Sequence, residues 1–190
     1  MIAYKFLTAD RRGPFSRSRW PDPGTFTTDA VISTCKSGYH ACSRSSLSYW
    51  LGPSLWLVEL AGRIETSRTK LVAGRARLLH EVTRWPQATD SFAESCMAEL
   101  RAMTRMTFPV GDRRPALIAE YLADALEISE IKRRSSLDLF VAADIAYITA
   151  HARSIAGSAD GLDPYVSEKV RQNRWLEDNL RLDEVEHGRN

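Results

Sequence analysis

Residues 55–60 read LWLVEL, a nearly continuous apolar run set between Gly52-Pro53 and Gly62. Such a run suits a strand covered on both faces, with Gly62 ending it. It is the clearest strand in the chain, and the rest of the first 80 residues reads outward from it as β-rich. Ala3–Leu7 is a short strand candidate, Phe26–Thr34 is rich in Thr, Val and Ile, and GYHAC at 38–42 is a third extended segment. In RRGPFSRSRWPDPG (11–24), Gly13, Pro14, Pro21, Pro23 and Gly24 exclude a long regular element. Ser45–Leu51 fits one or two helical turns, and KLVAGRARLL (70–79) fits a helix as well as a strand bent at Gly74, the latter being preferred.

From residue 86 the pattern becomes helical. Ser91-x-x-Glu94 has the form of a capping box, followed by Phe92, Cys96, Leu100 and Met103 at helical spacing. Pro115 opens a second helix with Leu117, Ile118, Tyr121, Leu122, Ala125 and Leu126 on one face. Ser136–Ile155 makes a third, ended by Gly157. Asp163-Pro164 caps a fourth running to about Leu182, and DEVEHGRN (183–190) is expected to fray. The fold class expected is therefore α+β: a small β-rich N-terminal head (1–80) followed by about four C-terminal α-helices (81–190).

A chain of 190 residues, 44% hydrophobic and 26% charged, has the composition of a globular protein. Leu137–Ile148 carries Asp138 and Asp144 and is too short and charged to span a bilayer, and the N-terminus lacks a secretory pattern. Three cysteines without framework spacing suit reduced thiols, so a cytoplasmic protein with no membrane association is expected. The net charge of +2 conceals an asymmetry: residues 1–80 hold 12 Lys/Arg against 5 Asp/Glu, and residues 81–190 hold 14 against 19. The basic half could attract phosphate, a nucleotide or nucleic acid, or simply the acidic half.

Five chemistries compete. Cys35, His40, Cys42 and Cys96 offer soft ligands, but C-x4-H-x-C is not a usual zinc spacing, so no metal is expected. His40 and Cys42 would share a strand face as a thiol–imidazole pair, although strand cysteines are usually buried and inert. Asp144 and His151 lie on one helix face, where a solvated aspartate is the plainer reading. The widest set is Lys5, the Arg11, Arg12, Arg17 and Arg19 loop, Tyr39, His40 and Trp50, which supplies cations, an imidazole and stacking surfaces for a phosphate-bearing ligand with an aromatic base. The standard phosphate-loop motifs are absent. The plainer reading is that the arginines are solvated and the tryptophans fill the core. RRGPFSRSRW also interleaves arginine with aromatic rings, as single-strand nucleic-acid binders do.

YKFL near the start, CKSGYHAC, Tyr49-Trp50-Leu51 and LWLVELAG together resemble an uncharacterised family of bacterial and phage proteins with a G-[YF]-H-A-C signature. The resemblance covers roughly residues 3–80, and RQNRWLEDNLRL (171–182) is similar to a helical tail found in bacterial relatives. More remotely, the order Lys5, Gly38-Tyr39-His40-Ala41, Tyr49-Trp50 and LWLVEL resembles ADP-ribosyltransferases. That likeness implies a nucleotide-type ligand, with NAD as a possible substrate. It makes His40, Lys5 and Glu59 the catalytic candidates, with Glu65 as an alternative acid, and Tyr4, Tyr39, Trp50, Arg17 and Arg19 the ligand-binding ones, the Arg11–Arg19 loop serving as a flexible lid. Lys5 departs from the expected arginine or histidine, and no convincing glutamate motif is present. The alternatives are a non-enzymatic module of phage or mobile-element origin whose helices bind a protein partner, and a single-strand nucleic-acid binder.

Overall fold

The computed structural model describes residues 1–33, 37–106, 114–135, 140–157 and 163–186. The protein is α+β, with a four-stranded antiparallel sheet followed by helices. The strands are β1 (Ile2–Leu7), β2 (Tyr39–Ala41), β3 (Ser54–Thr66) and β4 (Leu71–Glu81), and a 3-10 helix covers Arg44–Tyr49. The helices are α1 (Arg84–Thr104), α2 (Arg114–Ser135), α3 (Val141–Ala156), α4 (Pro164–Leu180) and the five-residue α5 (Leu182–Glu186). Among the described residues no helix is long and apolar enough to cross a membrane.

The chain divides into two compact units, one made of Met1–Ala88 with the chain from Leu176 onward, the other of Thr89–Trp175. In the first unit the sheet order is β1-β3-β4-β2. Tyr4 of β1 and Cys42, just after β2, exchange backbone hydrogen bonds of 2.9 and 2.8 Å. The two outer strands therefore meet at this one bridge and the sheet curls on itself. Its inner face follows the period-two alternation: Ala3 and Leu7, Ala41, Trp56, Val58 and Leu60, and Leu71, Ala73, Ala76 and Leu78 form one buried core with Trp20.

Several elements differ from the sequence reading for identifiable reasons. Gly62 does not end β3; with φ +74° it takes a left-handed turn at a register shift between Ala61 and Ile64, and the strand continues to Thr66. Residues 26–33 are not a strand. They run irregularly beside β4, where Gly24, Thr27 and Ala30 donate to the carbonyls of Leu78, Ala76 and Gly74 at 2.8 Å each. Ala30 passes close to Gly74, its carbonyl 3.5 Å from where a Cβ would sit, an ordinary contact distance. Thr34 lies outside the described residues.

The helix expected from the Ser91 capping box begins earlier, at Arg84, because Trp85 is buried and its indole donates to the Gly52 carbonyl at 2.8 Å. Residues 183–186 do not fray: they form α5, with Leu182 and Val185 buried. The Tyr4 hydroxyl donates to Glu186 at 2.6 Å, Arg84 pairs with Glu184 at 3.1 Å, and Arg44 pairs with Asp183. Residues 187–190 lie outside the described residues.

In the second unit, Leu100 and Met103 of α1 pack with Leu122 and Ala125 of α2 and Ala152 of α3. Leu117 and Tyr121, expected on the packed face of α2, are exposed, since only its Leu122 side meets the other helices. Asp163 caps α4 as expected, its carboxylate accepting from the Tyr165 amide at 3.0 Å. Gly157 closes α3 at φ +82°. The third helix is described only from Phe140, so the expected start at Ser136 lies outside the described residues. Glu168 is buried and held by Arg171 through two 2.8 Å bonds and by Gln172 at 2.9 Å, which satisfies its charge.

Candidate functional site

The seam of the curled sheet is closed by the single Tyr4–Cys42 bridge. On the side of Lys5 and His40 no ladder pairs β1 with β2, and a cavity of about 780 Å³ opens there. Lys5, His40 and Trp50 all border it, together with Tyr39, Arg19 and Tyr4. Lys5 occupies the position between Ala3 and Leu7, so it faces the apolar interior. Among the described residues no carboxylate pairs with it; its ammonium sits 5.9 Å from the Trp20 ring centroid. Burial lowers its pKa from 10.5 to about 8.

β2 carries His40 in register with Val72 of β4, and Leu71 pairs with Ala41. That pairing places Lys70 at the cavity beside His40. Burial first, then the charges of Lys5 and Lys70, hold the His40 imidazole below its ordinary pKa, while a hydrogen bond to the Gly38 backbone opposes the shift. His40 Nε2 is buried and has no hydrogen-bond partner. Gly38 is required next to it: φ is +102°, and a Cβ would stand 2.8 Å from Val72 Cγ1.

Aromatic rings flank the cations. The Trp50 indole donates to the Thr69 carbonyl at 2.7 Å, which fixes the ring, and Lys70 lies 5.1 Å from its centroid. Phe15 meets Trp50 edge-on at 6.5 Å, and Trp20 meets Tyr39 edge-on at 5.7 Å. The lining includes Lys5, Arg19, Lys70 and His40 and no Asp or Glu among the described residues. A cavity with this charge sign favours anions.

The remaining sequence candidates are placed elsewhere. Glu59 is bound by Arg77 at 2.6 Å and does not border the cavity; Glu65 pairs with Arg63 at 2.9 Å. Tyr4 borders the cavity, but its hydroxyl is committed to Glu186. Arg17 is exposed outside the lining, at the left-handed φ of 54°. The loop of Arg11–Arg19 is internally tied, with Gly13 donating to Ser18 at 3.0 Å, Arg17 to Gly13 at 2.8 Å, and Arg12 pairing with Asp10 at 2.7 Å.

Cys42 is buried, and burial pushes its thiol up to about 12, the opposite of what a nucleophile needs. Cys35 lies outside the described residues, and among the described residues no three His, Cys, Asp or Glu side chains gather as a metal site. Asp144 pairs with Lys132 at 2.6 Å, and His151 lies between the rings of Tyr147 and Tyr165, so the two do not act together.

Lys70, Phe15 and Trp20 are among the lining residues that sequence reasoning did not single out as site members. Phe15 and Trp20 stand within the quoted RRGPFSRSRW, whereas Lys70 reaches the site only through the long-range pairing of β2 with β4. No family model matches the chain, and no curated protein and no solved structure is similar to it.

Proposed function

We propose that the first unit binds a nucleotide-type ligand in the cavity at the sheet seam. The observation that carries this reading is the sign of the lining: three basic side chains and an imidazole, with aromatic rings beside them and no carboxylate among the described residues. Cations with orientable N–H donors suit phosphate, and rings suit a base. The volume is within the range of small-ligand sites. The remote likeness to ADP-ribosyltransferases supports the same ligand class, NAD included. Glu59 and Glu65, the acids that a transferase reading relies on, are engaged by Arg77 and Arg63, so the function favoured is binding.

The reading is tested by thermal unfolding against a panel of nucleotides, NAD and ADP-ribose. A ligand of this class raises the melting temperature, and His40→Ala abolishes the shift. No shift across the panel overturns it. The buried, unpaired thiols of Cys42 and Cys96 support a reducing compartment such as the cytoplasm. A second reading, a protein partner for the helices, is favoured by Leu117, Tyr121 and Ile128, which are exposed on one face of α2. Its test is whether Leu117→Glu with Ile128→Glu loses a copurifying protein.

A further inference from the structure

We propose that the cavity takes a mononucleotide with its phosphate at the open seam, which Lys5 borders from the inner face of the sheet and His40 and Lys70 from the other, and its base at the mouth against Phe15 and Trp50. This rests on the nucleotide reading above and assigns each end of the ligand a place. The seam end is the charged one. Lys5 faces the apolar interior of the curled sheet without a carboxylate partner among the described residues, and an uncompensated buried ammonium is costly. An anion placed against it removes that cost.

His40 makes the same demand from the other side of the seam. Its hydrogen bond to the Gly38 backbone occupies one end of the ring, while Nε2 is buried and unpartnered. A phosphate hydroxyl donating to the neutral ring satisfies Nε2, and so does a protonated ring donating to a phosphate oxygen. Lys70 is close enough to act on the same imidazole, so an anion beside Nε2 is within the field of both lysines.

The outer end is the aromatic one. Phe15 is 84% exposed, and Trp50 beside it is held in place through Thr69. An exposed phenylalanine next to an anchored tryptophan gives a base two rings to lie against. The inner pair offers no equivalent: Trp20 is only 4% exposed, whereas Phe15 stands almost fully open. One accessible aromatic end means one base, so a mononucleotide fits better than a dinucleotide such as NAD.

The experiment is calorimetric titration of the full chain with the common ribonucleoside 5′-monophosphates, the matching nucleosides, ribose 5-phosphate and NAD. It is repeated for Phe15→Ala, at an exposed side chain whose loss leaves the fold intact, and for His40→Gln. Monophosphates and ribose 5-phosphate bind, while nucleosides do not. Phe15→Ala weakens the monophosphates by about tenfold or more and leaves ribose 5-phosphate unchanged. His40→Gln weakens both by the same factor. Three results each overturn the orientation while leaving a nucleotide site in place: nucleosides binding as well as monophosphates, Phe15→Ala weakening ribose 5-phosphate equally, or NAD binding more tightly than every monophosphate. Absence of binding by all these compounds overturns both the orientation and the nucleotide reading.

Discussion

Lys5 borders the cavity at a cost to the fold. Its folded pKa of about 8 lies below the ordinary 10.5, so the folded state releases its proton first as pH rises. Below about 8 both states are protonated and the full penalty of burying the charge is present. Between about 8 and 10.5 the penalty is relieved, and stability contributed at this position rises with pH. Lys5→Met is therefore expected to be more stable than the parent by about 1–3 kcal/mol at pH 7. In urea unfolding at a series of pH values, that advantage should shrink across the window. A Met variant less stable at pH 7 would mean that the ammonium is compensated in the folded state. Lys5, His40 and Trp50 were legible as candidates because cations and rings in a basic N-terminal half stand out in a sequence. Lys70 was not, because only the register of β4 against β2 brings it to the site.

At the scale of elements, two glycines with left-handed backbones should respond differently to the same change. A Cβ at Gly62 finds only the Arg75 amide at 4.0 Å, so Gly62→Ala carries backbone strain alone, about 1–2 kcal/mol. A Cβ at Gly38 meets Val72 Cγ1 at 2.8 Å and the Ala73 carbonyl at 3.2 Å, both across the β2–β4 pairing. Gly38→Ala is expected to cost about 3 kcal/mol or more, and to displace His40 as well. Chemical denaturation of both variants checks the ranking, and equal losses would refute it.

The strands around LWLVEL were legible from apolar runs, and the stop of α3 at Gly157 and the start of α4 at Asp163 from their capping residues. Local propensity misled where a partner decides the outcome. Residues 26–33 have strand composition, yet their amides meet β4 only at every third residue, which no ladder permits. Ser91 has the form of a cap, yet burial of Trp85 starts α1 a full two turns earlier.

For the whole molecule, the charge asymmetry between chain halves has a local counterpart within the first unit. Arg44 and Arg84 are met there by Glu177, Asp183 and Glu184 from the end of the chain. Removing everything after Arg181 takes away two buried apolar side chains, Leu182 and Val185, as well as the Glu186 acceptor of Tyr4. The loss is expected to be about 3–5 kcal/mol for that unit. Hydrogen exchange should then show weaker protection of β1 amides with α2 and α3 unchanged; unaltered exchange at Tyr4 would show that α5 adds no stability there.

The return of residues 176–186 to the β-sheet unit also sets an order of events during synthesis. A nascent chain has all four strands in hand long before α5 emerges, and in the interval it translates the whole of Thr89–Trp175. The helical unit can thus mature while the chain is still growing. The β-sheet unit reaches its finished form only once α5 has been made, so the cavity proposed to bind a nucleotide would be completed late, after the helical unit.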